Sequence, residues 1–212
     1  MISNDIKALR SGKITASQFY RIMTRGRNKN EPLGDTAITY IYEIIAEIMT
    51  NGISREFEEF SSKAVEWGNR YEPEAIRVYS EYNSVEVREG EFIEYSLYAG
   101  CTPDGFVGDD GLIEVKCPYL TKNHIKHLLC NTQEELKNIS KEYYWQCQFQ
   151  LFCTGREWVD FVSYDPRCDE RFCLHILRVD RREDIMNEIK AQLEIATMYI
   201  EDTIRLMINK SR

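Results

Sequence analysis

The segment Thr102-Pro103-Asp104-Gly105 to Lys116 most constrains this chain, because it reads as a tight hairpin whose second strand is apolar yet carries charge. Phe106-Val107 and Leu112-Ile113 flank the quartet Gly108-Asp109-Asp110-Gly111, a turn-forming run that folds the backbone back on itself. Strand alternation sends Leu112, Glu114 and Lys116 to one face and Ile113, Val115 and Cys117 to the other. The hairpin returns Asp104 beside Glu114, so two acids and a lysine share a pocket. Taken alone, such a pair is as readily a solvated ion pair of little energetic worth. Leu112, Ile113 and Val115 make the strand buried, and Pro118 ends it because proline cannot donate to a ladder. Charges on a buried strand need partners.

A divalent cation is one such partner. Phosphodiesters resist hydrolysis because their anionic oxygens repel the nucleophile, and divalent cations neutralise that charge and acidify water. Mg²⁺ takes oxygen ligands and commonly only one or two carboxylates, so Asp104 and Glu114 suffice as a minimal set. Lys116 would orient the attacking water and stabilise developing charge, with a pKa that can fall beside cations.

The remaining pattern is that of an α/β chain. Thr15-Ala16-Ser17-Gln18 reads as a capping box opening a helix over 17–23, whose free N–H groups could receive a phosphate or simply be capped. Ile38, Ile41, Ile45 and Ile48 form an apolar helical stripe ending near Gly52. A helix over 61–82 carries Glu72 one step from Tyr71, with Pro73 as a point of bending or restart. Strands follow at Val85-Glu86-Val87 and Phe92-Ile93-Glu94-Tyr95. A helix over 140–153 sets Gln146 and Gln150 on one face, four residues apart. Strands at 158–162 and 172–177 complete a sheet, and 181–209 keeps helical register through Ile185, Ile189, Leu193, Ala196, Ile200, Ile204 and Met207. His124, His127 and Cys130 recur every third residue, but a zinc site would still lack a ligand and an amphipathic helix accounts for them.

The 212 residues, 43% hydrophobic and 12% aromatic, allow one well-buried core and exclude a disordered chain. No run is long enough to span a membrane and no secretion signal opens the chain, so an intracellular protein is expected. Seven cysteines at irregular spacings point to reduced thiols. A net charge of −8 argues against indiscriminate binding of nucleic acid. Lys7, Arg10, Lys13, Arg21, Arg25, Arg27 and Lys29 make the amino-terminal part locally basic, which fits focused binding.

Six ordered blocks carry a family resemblance: residues 9–17, Trp67-Gly68-Asn69-Arg70-Tyr71-Glu72, Thr102 to Gly105, Leu112 to Pro118, Tyr144-Trp145-Gln146-Cys147-Gln148, and Tyr164-Asp165-Pro166-Arg167. Together they resemble the lambda exonuclease family, the YqaJ-type viral recombinase branch of the PD-(D/E)xK nucleases. The resemblance implies an α/β, restriction-endonuclease-like PD-(D/E)xK core with a central mixed sheet flanked by helices. It implies one nuclease domain over 1–212: an end-binding helical segment to about residue 60, a catalytic core over 61–180 and a terminal helix over 181–210. Asp104, Glu114, Lys116 and Glu72 match the catalytic acids and lysine. The Val115 carbonyl and Glu72 would join Asp104 and Glu114 around Mg²⁺, or Mn²⁺, with two ions in the site. Arg10, Ser17, Thr102 and Gln146 correspond to a pocket for the 5′-phosphate of a DNA end, with Thr102 where a serine is familiar, and Arg27 to a further DNA contact. The implied activity is 5′-to-3′ digestion of double-stranded DNA ends to 5′-mononucleotides in viral or phage recombination. The implied partners are a single-strand annealing protein and two further copies of the chain in a homotrimer. A PD-(D/E)xK endonuclease or junction resolvase, and a non-catalytic DNA-end-binding module, are the competing readings.

Overall fold

The computed structural model describes residues 4–26, 31–54 and 62–211. Arg27 and Lys29 lie outside the described residues.

Four short elements open the chain: α1 (Asn4–Arg10), β1 (Ile14–Thr15), a 3-10 turn (Ala16–Gln18) and α2 (Phe19–Ile22). The expected capping box over 15–18 does not form. The Thr15 side chain makes no cap bond. Tyr40 Oη instead accepts from the Thr15 amide at 3.1 Å and lies 3.5 Å from its hydroxyl. A tertiary partner has displaced the local one, and the backbone tightens into a 3-10 turn.

Helix α3 (Asp35–Met49) buries Ala37, Tyr40, Ile41, Ile44 and Ile45, close to the stripe read from the sequence. Helix α4 (Lys63–Asn83) starts where Ser62 Oγ accepts from the Val65 amide and stops at Ser84, whose φ of 54° is left-handed. It runs unbroken through Pro73. Proline removes one intrahelical bond, but Ala75 and Tyr79 are clamped in a core, and Tyr79 Oη donates to Asp160 at 2.6 Å. The restart allowed for at residue 73 is therefore absent.

The strands are β2 (Val87–Glu89), β3 (Ile93–Ser96), β4 (Ala99–Cys101), β5 (Gly105–Val107), β6 (Gly111–Lys116), β7 (Trp158–Tyr164) and β8 (Leu174–Asp180). They divide between two mixed sheets, where the sequence suggested a single one: β1-β4-β3 and β2-β5-β6-β7-β8. In the larger sheet only β6 and β7 are parallel. That pairing needs a long crossover, supplied by α5 (Thr121–Leu128), α6 (Gln133–Ile139) and α7 (Lys141–Thr154). Strand β8 starts two residues later than expected, and the Phe172 amide donates instead to the Asp169 carbonyl within the preceding loop at 2.8 Å. Helix α8 (Glu183–Lys210) ends the fold.

The expected hairpin is present, with Gly105 opposite Ile113 and Val107 opposite Gly111. Side-chain alternation along β6 holds as well. Leu112 faces a core built with Phe19, Trp145, Phe149, Val159 and Phe161, while Ile113 and Val115 face a second core with Ala75, Tyr79, Val162 and Tyr164. Helices cover both faces, so β6 is buried on both sides. None of the described helices is long and apolar enough to cross a membrane.

His124 and His127 are buried on α5 and both place Nδ1 2.8 Å from Ser163 Oγ. His124 Nε2 donates to the Phe172 carbonyl (2.7 Å), so its Nδ1 accepts from Ser163 and His127 Nδ1–H donates to the same oxygen. The two histidines that suggested zinc thus share Ser163 as a partner, and Cys130 Sγ donates to the Thr132 carbonyl at 3.5 Å.

Candidate active site

Two features bring the functional residues together. The stretch Thr102-Pro103-Asp104 is the crossover from β4 in one sheet to β5 in the other, which places the half-buried Thr102 and Asp104 at the seam between sheets. Strand β6 ends at the same seam with Glu114 and Lys116 on one face. Gly90 makes the close packing feasible: a Cβ there would lie 1.8 Å from the Pro103 carbonyl oxygen.

A cleft of about 310 Å³ opens at this seam. Arg10, Ser17, Glu72, Thr102, Asp104, Glu114, Val115, Lys116 and Gln146 all line it. Every site residue expected from the sequence is there except Arg27, which lies outside the described residues. Elements distant in the chain each contribute: α1 gives Arg10, the 3-10 turn Ser17, α4 Glu72 and α7 Gln146.

Glu114 is 1% exposed and lies at the centre of a hydrogen-bond cluster. Its Oε1 accepts from Lys116 Nζ at 2.5 Å and from Gln146 Nε2 at 2.6 Å. Its Oε2 accepts from Gln150 Nε2 at 2.5 Å. Three donors compensate for the lost hydration of the carboxylate. Asp104 is fixed differently, its Oδ2 accepting from the Val115 amide at 2.6 Å. That bond ties the crossover to β6 and fixes the separation of the two acids.

Burial, reinforced by the charges of Glu114 and Glu72, pushes the Asp104 carboxyl well above the usual range against the pull of Lys116. Glu72 is raised by burial and by Glu114, so α4 does bring it into electrostatic reach of the acids. Burial opposes the Lys116 ammonium, yet the Glu114 and Asp104 charges outweigh it and raise its pKa. The neighbouring acids therefore favour the ammonium form of this lysine. Its ammonium also sits 5.1 Å from the centre of the Tyr143 ring.

Oxygen donors dominate the site. Glu72, Glu89, Asp104 and Glu114 line the cleft against only Arg10 and Lys116, and burial, with a smaller contribution from mutual repulsion, raises Asp104 and Glu72. A hard divalent cation fits that excess of carboxylate. Among the described residues no three His, Cys, Asp or Glu side chains form a ready-made metal cage.

The other lobe suits an anion. Arg10 Nη2 lies 3.5 Å from Ser17 Oγ, and Thr102 Oγ1 is buried with no hydrogen-bond partner among the described residues. A buried hydroxyl left unsatisfied is costly unless something fills the space before it. The helix-cap route to a phosphate is gone, since α2 has four residues, but the side-chain route remains. Gln146 joins the two lobes: it faces the cleft while its amide holds Glu114.

Gln150 was not anticipated as a site residue. It is fully buried behind Glu114, and its spacing of four from Gln146 on one helical face was the available signal. Asn69, Glu89 and Gly90 also line the cleft; Asn69 falls within the 67–72 block, and nothing in the local sequence marks Glu89 or Gly90.

Residues 5–157 match the YqaJ-like viral recombinase domain. The alkaline exonuclease LHK-Exo of Laribacter hongkongensis is 30% identical with a TM-score of 0.82, over 99% of this chain and 98% of that one. The same protein in complex with dAMP matches at 31% identity and TM-score 0.82, with the same coverage. A phage-related exonuclease of Haemophilus somnus 129PT shares the fold at 18% identity and TM-score 0.72, over 95% of this chain and 99% of that one. No relative of curated function matches. A domain match over most of the chain and a near full-length structural counterpart agree: the chain belongs to the YqaJ-like viral recombinase domain family.

Proposed function

We propose that this chain is a divalent-cation-dependent DNA exonuclease that degrades double-stranded ends 5′-to-3′ and releases 5′-mononucleotides. One observation carries the reading. A single cleft holds the acids Asp104 and Glu114, the lysine Lys116, and an anion lobe of Arg10, Ser17 and Thr102. The alkaline exonuclease relative, one form of which holds dAMP, supports the same chemistry.

Asp104, Glu114 and the Val115 carbonyl would hold Mg²⁺ or Mn²⁺, with Glu72 near a second ion. Such a cation supplies charge neutralisation at the phosphate and a lowered pKa for water. The protein's own groups do the rest. Arg10, with the Ser17 and Thr102 hydroxyls, binds the terminal 5′-phosphate and so sets the next phosphodiester against the acids. Lys116 donates to the charge that grows on the phosphoryl oxygens. Water adds to phosphorus, the bond to the 3′-oxygen breaks, and the mononucleotide leaves while a new 5′-phosphate remains on the strand. Gln146 and Gln150 keep Glu114 oriented throughout. Assembly as a homotrimer and cooperation with a single-strand annealing protein form part of this proposal through the family resemblance.

The test is a duplex labelled separately at its two ends, with and without 5′-phosphate, incubated in Mg²⁺. Label should leave the phosphorylated 5′ terminus first, as mononucleotide. Arg10→Ala should reduce the preference for phosphorylated ends roughly 10-fold or more, as expected for loss of a charge-assisted contact of about 1.5–3 kcal/mol. Loss of label from the 3′ terminus first, or linearisation of a closed plasmid, would overturn the reading.

A further inference from the structure

A second cavity of about 520 Å³ adjoins the first and shares Asn69, Glu72, Val115 and Lys116 with it. Glu72 and Lys116 are thus at the waist of one continuous cleft with two lobes of different character, and Asp104 and Glu114 lie on the first-lobe side of it. The first lobe is polar and holds Arg10, Ser17 and Thr102. The second is lined by Tyr119, Leu120, Val65 and Pro118 together with Asn123 and the shared Asn69. Neither asparagine side chain makes a hydrogen bond among the described residues. Aromatic and apolar surface beside free amides matches the chemistry of a nucleobase, which offers a π face and a polar edge.

We propose that this second lobe binds the base of the nucleotide on the far side of the scissile phosphate, with the Tyr119 ring as its stacking platform. The inference rests on the exonuclease reading and extends it. A strand whose terminal phosphate is in the first lobe, with its next phosphate at the waist, must place its second nucleotide in the other lobe. Tyr119 is the aromatic side chain left to meet it. The Tyr143 ring is already engaged by Lys116 Nζ at 5.1 Å and by Phe161 at 5.6 Å. Tyr119 is exposed, and its one aromatic neighbour among the described residues is Trp67, edge-on with ring centres 6.0 Å apart.

The platform is also fixed before substrate arrives. Arg167 Nη2 donates to the carbonyls of Pro118 and Tyr119 at 3.2 and 3.1 Å, while the guanidinium lies 4.3 Å from the centre of the Trp67 ring. Asp165, fully buried, accepts from Arg167 Nε and Nη2, both at 2.8 Å. One arginine therefore fastens the segment after β6 to the helix that carries Glu72. Little ordering entropy remains to be lost when a base stacks there.

The experiment uses 5′-phosphorylated duplexes with an abasic residue at the second or the fourth position of the attacked strand. End affinity is read by anisotropy in Ca²⁺, and kcat/KM in Mg²⁺. The unsubstituted protein should bind and cut the second-position abasic duplex roughly 5- to 100-fold less well than the fourth-position control, the range expected for one lost base stack. Tyr119→Phe should keep that discrimination and Tyr119→Ala should erase it. Equal handling of the two duplexes by the unsubstituted protein would overturn the proposal. So would a Tyr119→Ala variant that weakens both duplexes by the same factor. If ends are bound with this discrimination but never hydrolysed, the exonuclease reading falls and the base subsite stands.

Discussion

Replacing Gln150 with methionine removes one hydrogen bond to a carboxylate and little else. Gln150 and Glu114 are 0% and 1% exposed, so no bulk water replaces the lost donor. A hydrogen bond to a charged group contributes about 1.5–3 kcal/mol. Gln150 Oε1 is itself buried without a partner, and its removal offsets part of the loss. The net cost should therefore be near the lower end, about 2 kcal/mol, or roughly 4–8 °C in Tm for a chain of this size. Catalysis should suffer more than stability does. Lys116 and Gln146 both bond Oε1, so Gln150 is what fixes Oε2 and stops the carboxylate turning. Gln150 is also not among the cleft-lining residues, so DNA binding should be spared. The assays are thermal denaturation, Mg²⁺ titration by calorimetry and steady-state kinetics. We expect Mg²⁺ affinity and kcat to fall about 10- to 100-fold, as for other outer partners of metal ligands, with KM for duplex ends nearly unchanged. A variant with normal Mg²⁺ affinity and kcat would refute the claim that Gln150 orients Glu114.

Two further predictions address the scaffold. Gly90→Ala would force a methyl group against the Pro103 carbonyl, displacing the crossover that carries Thr102 and Asp104; activity should fall at least 10-fold, and a crystal structure of the variant should show that crossover moved. Burial, with a smaller contribution from neighbouring basic side chains, lowers His127 from its ordinary 6.5 to about 4. A depressed folded-state pKa means the unfolded chain binds the proton first, so the stability is present above pH 6.5 and is lost as pH falls toward 4. The loss should be on the order of 3 kcal/mol, and urea midpoints measured across that window should flatten in His127→Gln.

How much of this was legible beforehand depended on how local the cause was. Asp104, Glu114 and Lys116 could be placed together because a short turn and strand alternation decide their positions, and both act within a few residues. The capping box at Thr15 failed because its competitor, Tyr40, is 25 residues away. The division into two sheets turns on β1 pairing with β4, with Ile14 opposite Ala99, and no short-range pattern announces such a pairing. Gln150 could be put on a helical face but not against Glu114, since helix-on-sheet packing makes that contact across 36 residues. Pro73 was a local warning that tertiary packing overrode. The anion lobe was found through the family resemblance, because Arg10, Ser17 and Thr102 come from three separate elements.

The central claim is that Asp104 and Glu114, with Lys116 beside them, form the hydrolytic centre of a DNA-end nuclease. The most direct measurement is the rate of mononucleotide release from a 5′-phosphorylated linear duplex across a Mg²⁺ titration, for the unsubstituted protein and for Asp104→Asn. The account predicts a rate that rises with Mg²⁺ and falls on the order of 1,000-fold or more in the variant, which still binds ends. Undiminished release by Asp104→Asn, or release indifferent to Mg²⁺ and Mn²⁺, would contradict it.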